Sequence, residues 1–264
     1  MTERREEQRI ERVEDGLPLA LRTAWWATAW LRGHVVTDHL LDAVIGEDAT
    51  HVVGGLGALG LGEGRLDAAA AESLLAGLAR VRAEGATGFG LALPVEGDLV
   101  GLGGPPAFNT AALEAGQAVV VPGAWIGLVP GRVGAAVIWH AHRAERRQVP
   151  DIGEADRLLR RELPRAAEAL ADLDVARWRP EAADRLMNLR HRPRVAPPPG
   201  LPDRCAELAA RAVQAAEIVD VALEDDGGAV SAYEIAARRE ALLPLDRAAR
   251  HALVAAGSPE AWPE

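Results

Sequence analysis

Up to residue 150 the apolar residues come in short runs between glycines and prolines, whereas from Asp151 onward they recur every three or four positions. Short runs bounded by Gly and Pro read as buried strands, and a 3.6-residue recurrence reads as a helix face. In the first part the strand candidates are HVVGGL, GFGLALP, QAVVVP, AWIGLVP and GAAVIWHAHRA. Two helices interleave with them. One carries Leu74, Leu78 and Val81 at helical spacing, includes Ser73 and ends at Gly85; the other, AFNTAALEAG, is launched by Pro105 and Pro106 and stops at Gly116. Strand, helix, strand, helix and then several strands predict a small mixed β-sheet with helices on at least one face, an α+β or α/β domain over residues 16–150.

The second part, residues 151–264, has helical periodicity alone. Leu159, Leu163, Ala166, Leu170 and Leu173 keep one stripe across Pro164, which predicts a single helix running through the proline. Pro180 opens a shorter helix, RPEAADRLMNLR, and HRPRVAPPPG follows as an extended linker. Cys205, Ala209, Ala212, Ala216, Val219 and Leu223 line one face of the next helix. The last begins at SAYE, a capping box in which the Ser231 hydroxyl accepts from the Glu234 amide while the Glu234 carboxylate reaches back. The C-terminal half is therefore expected to be a helical bundle. Residues 1–15, almost all charge, have too little apolar surface to offset their ordering entropy and are expected to be a frayed tail.

The densest apolar stretch is AWWATAWLRGHVVTDHLLDAVIG, residues 24–46, with Trp25, Trp26 and Trp30. The apolar segment that holds them, residues 17–31 with Arg22 as its one charge, runs about 15 residues, short of the roughly 20 that span a bilayer. Acidic residues follow it, where an interfacial helix would carry cations. The expectation is a buried packing helix, with a homodimer contact as the second reading.

Composition then removes whole classes of chemistry. Every one of the 29 cationic side chains is Arg, so no lysine Schiff base, P-loop lysine or kinase lysine exists. A net charge of −10 argues against general nucleic-acid binding. The three serines, Ser73, Ser231 and Ser258, have no G-x-S-x-G surroundings, and Cys205, the one cysteine, is expected to be buried and inert. One cysteine and no secretory leader pattern point to the cytoplasm.

Three constellations remain. His34, Asp38 and Asp42 follow Trp30 at four-residue intervals, and His140 and His142 share a strand face, so His34, Asp38, His140 and His142 are candidate ligands for zinc or iron. Arg185, Arg190, Arg192 and Arg194 form a candidate anion patch. The glycines of GDLVGLGGPP, ahead of a helix, could let amides approach a phosphate, although GKS and GxGxxG patterns are absent.

The run LPVEGDLVGLGGPPAFNTAALEAGQAVV and the stretch WLRGHVVTDHLLDAV resemble segments of a family of uncharacterised actinobacterial proteins. The resemblance covers the first half and implies no catalytic residue, because no activity is assigned to that family. By elimination the expected function is a non-catalytic interaction or scaffold role without a cofactor, through a protein partner or self-association. The alternative is a metal-dependent hydrolase using the His and Asp set.

Overall fold

The computed structural model describes residues 16–61, 71–172, 196–224 and 232–262. The chain divides into two compact units: residues 1–149, 196–202 and 257–264 form the first, and 150–195 with 203–256 the second.

In the first unit, α1 (Leu19–Leu31) is buried over nearly its whole circumference, with Trp25 3% exposed. Trp26 and Trp30 are only half-buried. The helix stops where Gly33 takes a φ of +77°, a left-handed conformation that glycine adopts without a Cβ penalty. A separate helix, α2 (Thr37–Ile45), then begins. Its C-terminus explains the one charge in α1. Arg22, 6% exposed, donates from Nη2 to the Val44 carbonyl at 2.9 Å, placing a cation at the negative end of a helix.

The sheet follows: β1 (Thr50–Gly54), β2 (Glu72–Ser73), β3 (Gly90–Ala92), β4 (Ala118–Val121), β5 (Ile126–Val133) and β6 (Ala136–Arg143), in the spatial order β2-β1-β6-β5-β4-β3. Strand β1 runs parallel to β6, pairing Val53 with Trp139, and the other pairings are antiparallel. The sheet is therefore mixed, as the element order predicts. Between the strands lie α3 (Leu74–Ala83) and α4 (Pro106–Ala115). Ser73 caps α3, accepting from the Ala76 amide at 3.3 Å; it stands at the helix start, not inside it. Gly116, at φ +70°, ends α4.

Each sheet face has its own cover. On one, Phe108 and Ala112 of α4 join Ala92, Leu102, Ala118, Val120, Val129 and Ala144 in a core. On the other, Leu91, Val119, Leu128 and Trp139 are fully buried, and Gly77 of α3 lies so close to Val53 that a Cβ there would come within 2.5 Å of it. Helix α1 packs on β3 and β4 and α3 on β1. The Thr28 hydroxyl of α1 replaces a strand partner for Phe89, accepting from its amide at 2.9 Å and donating to its carbonyl at 3.1 Å.

The second unit contains α5 (Ile152–Asp172), α6 (Asp203–Glu224) and α7 (Ala232–Ala256). Helix α5 continues through Pro164, and α7 through Pro244. Helix α7 packs against both α5 and α6. Cys205, Leu208, Ala209, Ala212, Ala216 and Val219 are buried along α6, where the alanines let helices approach closely. Two expected stripe positions depart: Leu163 is 42% exposed and Leu223 38%. On α5 the buried line is Ala155, Leu159, Glu162 and Ala166, where the Glu162 carboxylate is tied to Arg161 and Arg165. Ser231, RPEAADRLMNLR and residues 1–15 lie outside the described residues.

Candidate functional site

The strongest polar arrangement in the first unit starts at the α2–β1 connection. His51, 1% exposed, points from β1 to the same face as Trp139. Its Nε2 lies 2.9 Å from Asp48 Oδ2, and its Nδ1 accepts from the Trp139 indole N–H at 3.4 Å. Asp48 Oδ1 in turn accepts from Arg132 Nη1 at 2.6 Å. These partners fix the neutral imidazole with its proton on Nε2, since Nδ1 must keep its lone pair for the indole. Burial holds the His51 pKa below the ordinary histidine value, outweighing the Asp48 carboxylate beside it. Burial alone would raise Asp48, but hydrogen bonds from His51 and Arg132 and their charges bring it below the usual carboxylate range. With both nitrogens committed, His51 has no lone pair to take a proton from a substrate. The Arg132–Asp48–His51–Trp139 chain braces β5, the α2–β1 connection, β1 and β6.

The opposite sheet face carries the two expected histidines. By the pairing register, Val52 opposes Ile138, Val129 opposes His140 and Gly127 opposes His142, so these residues share the α4 face. The His142 ring stands 5.9 Å from the Phe108 ring, and burial, with His140 nearby, lowers its pKa. His140 is exposed and leans over Gly131, where a Cβ would lie 3.4 Å from its Nε2. Helix α4 covers only part of this face. Toward β1, Val52 and Ile138 stay half-buried and Val133 is 62% exposed.

The metal candidates do not come together. His34 stands in the break between α1 and α2, against Gly200, and not on a helix with Asp38. Asp38 and Asp42 are exposed on α2, whose Val44 carbonyl holds the Arg22 whose charge reaches His51, whereas His140 and His142 face α4 across the sheet. Among the described residues no group of three or more His, Cys, Asp and Glu could hold a metal ion. The four-residue spacing of His34, Asp38 and Asp42 assumes one continuous helix, and Gly33 removes that premise.

The glycine loop is filled by the protein itself. A Cβ on Gly101 would lie 2.6 Å from the Leu91 carbonyl, one on Gly103 would collide with the Arg146 backbone, and one on Gly104 would lie 2.9 Å from a Glu145 carboxylate oxygen. These glycines permit close backbone packing, and a carboxylate already stands where an anion would approach. Cys205 is fully buried, and burial raises its thiol pKa. Arg185, Arg190, Arg192 and Arg194 lie outside the described residues. Among the described residues no helix is long and apolar enough to cross a membrane.

Sequence reasoning places Trp139 in the core but passes over the polar chain that Asp48, His51 and Arg132 form with its indole. A signal was available: His51 and Val53 alternate along β1 and turn the same way, so a histidine flanking an apolar inward position calls for a buried partner. A second missed group is Arg147. Its side chain is 3% exposed; Nη1 donates to the Leu91 carbonyl at 2.9 Å and Nη2 to Glu260 at 2.8 Å. Burial lowers its pKa, partly offset by Glu260.

Comparison with known proteins agrees with the resemblance read from the sequence. The family models described as Rv1486c-like protein, N-terminal domain, and Rv1486c-like protein, C-terminal domain, match residues 20–152 and 153–254. The chain is 30% identical over 287 residues to "Uncharacterized protein Rv1486c" of Mycobacterium tuberculosis strain H37Rv, covering 90% of this chain and 96% of that protein. It is equally similar, at 30% identity and the same coverage, to "Uncharacterized protein MT1533" of Mycobacterium tuberculosis strain CDC 1551. No solved structure matches. With both family models spanning most of the chain and a relative aligned nearly end to end, the protein belongs to the Rv1486c-like family.

Proposed function

We propose that this chain is a cytoplasmic interaction protein that engages a protein partner, or a second copy of itself, through the part of the sheet face that α4 leaves uncovered. One observation carries the reading: Val52, Ile138 and Val133 share a face with His140, and Val133 is 62% exposed while Val52 and Ile138 are half-buried. Leaving such side chains in water forgoes about 25 cal/mol per Å² of burial, and contiguous exposed apolar surface is characteristic of docking sites. His140 adds a polar handle within the apolar field. The hydrolase alternative would need His34 and Asp38 to meet His140 and His142 across the sheet, which makes it the weaker reading. With a net charge of −10, general nucleic-acid binding is not part of the proposal.

The test compares wild type with Val133→Glu and Ile138→Glu, and with a control change at the exposed Glu207, in sedimentation and in capture from cytoplasmic extract. The expected outcome is an associated species that both face variants lose and the control keeps. A wild type that stays monomeric and captures the same proteins as the face variants would rule out this face.

A further inference from the structure

We infer that residues 257–262 form an exchangeable arm, and that the groove they fill is a docking site able to take the same segment from a second copy of this chain. The groove is built by the end of α1, the outer edge of β3 and Arg147. Strand β3 is the last in the sheet order, so its outward backbone groups need partners from elsewhere. The Leu91 amide finds one in the Gly257 carbonyl at 3.0 Å. The Leu91 carbonyl accepts from Arg147. The Gly257 carbonyl thus satisfies an edge amide, after which Pro259–Ala261 form a single 3-10 turn.

Side-chain recognition is layered on that backbone contact. At Gly88 any Cβ would collide with Pro259, so the glycine leaves a notch that the proline ring fills. At Gly90 any Cβ would collide with the Arg147 guanidinium, so the second glycine makes the channel in which that guanidinium lies. Arg147 presents Nη2 to the Glu260 carboxylate at 2.8 Å; its side chain is 3% exposed, and its Nε has no hydrogen-bond partner. Arg32 donates to the Pro259 carbonyl at 3.3 Å and sets its guanidinium 5.4 Å from the Trp262 ring centre. A ring in a notch, a carboxylate on a buried guanidinium and an indole against a cation read the pattern Pro-Glu-x-Trp.

The arm is held tightly, with Ser258 0% and Trp262 6% exposed, while the Glu260 side chain is 49% exposed. Two features set it apart from the rest of the core. Its contacts span separations of 113 residues to Arg147 and 227 to Arg32, so local chain geometry does not impose them. And the arm follows α7 directly: α7 ends at Ala256 in the second unit, and Gly257, the first residue of the arm, belongs to the first. None of these contacts depends on which copy supplies the arm, the condition for swapping an element between protomers. Cis docking dominates in dilute solution because the tethered arm has a high effective concentration.

The test uses two full-length variants. Trp262→Ala with Glu260→Gln weakens the arm and leaves the groove intact; Gly88→Val blocks the groove and leaves the arm intact. Each alone is expected to be no more associated than wild type, whereas an equimolar mixture forms a 1:1 complex in sedimentation. A labelled GSPEAW peptide, the sequence of 257–262, is expected to bind the arm-weakened chain about 100-fold more tightly than wild type, whose own arm competes. Association through the bare sheet face is distinguishable, since it would occur in each chain alone and vanish with Ile138→Glu, while the mixture would still pair. Folded variants that neither pair nor bind the peptide at millimolar concentration would overturn the inference. If a double or Gly88 variant fails to fold, the Glu260→Gln chain with the peptide decides in the same way.

Discussion

Trp25 and Trp30 occupy the same helix in different environments. Trp25 is 3% exposed, so Trp25→Ala should cost about 3–5 kcal/mol, the range for large aromatic truncations in packed interiors. Trp30 is half-buried, with its indole N–H on the Thr37 hydroxyl at 3.3 Å and Arg82 5.4 Å from its ring centre, so Trp30→Ala should cost only about 1–2 kcal/mol. Denaturant midpoints of the two variants measure the gap, and equal costs would contradict the burial pattern. His51 carries a pH prediction. Its folded-state pKa is lowered, so below the unfolded value of about 6.5 the unfolded chain binds more protons than the folded one. The stability owed to neutral His51 is thus fully present above about pH 6.5 and falls as pH drops from there toward its folded pKa. His142, shifted the same way, adds to the slope. Urea midpoints between about pH 7 and pH 5 should fall less in His51→Gln than in wild type; parallel profiles would mean that His51 titrates normally. Residue-level legibility was uneven. Cys205 could be assigned from its stripe, but Arg22 and Arg147 owe their burial to the Val44, Leu91 and Glu260 partners, which are not sequence neighbours.

Among the elements, the α3–β1 contact sets two effects against each other. Gly77→Ala gains roughly 0.5–1 kcal/mol of helix propensity, yet the new methyl would come within 2.5 Å of Val53, and overpacking a core costs typically about 1–3 kcal/mol. The clash should win, lowering the thermal midpoint; a rise would mean that α3 shifts freely on β1. Strand positions were legible because each apolar run is bracketed by residues that end strands: β4 and β6 fall within their runs, while β5 starts in AWIGLVP and continues past Pro130 to Val133. Helix boundaries were harder. His34, Asp38 and Asp42 keep a perfect four-residue spacing, but the break at Gly33 separates the first from the others. Glu162 replaces Leu163 in the buried line of α5 because its carboxylate is neutralised by Arg161 and Arg165, a compensation that a count of apolar positions does not register.

At the scale of the molecule, the order of elements was enough to predict a mixed sheet followed by helices, because connection rules leave few packings for strand, helix, strand, helix and several strands. The sides of the sheet were not legible, since nothing local in the sequence says that α4 takes one face while α1 and α3 take the other. That distinction bears on the metal alternative. Ligands distributed over both faces cannot converge through the packed layer of Val53, Trp139 and Leu128. Binding to the folded state raises stability by RT ln(1 + [L]/Kd), so a micromolar zinc site would shift the melt by about 2.7 kcal/mol at a hundredfold excess over Kd. The expected outcome is no such shift in wild type on adding zinc or iron(II), and no loss of stability on chelation. His140→Gln combined with His142→Gln should leave both results unchanged and alter stability by about 0.5 kcal/mol or less at the exposed His140. A zinc-dependent rise in wild type that disappears in that double variant would locate a site on the α4 face; one that also disappears in Asp38→Ala would require the two sides of the sheet to rearrange, and would restore the hydrolase reading.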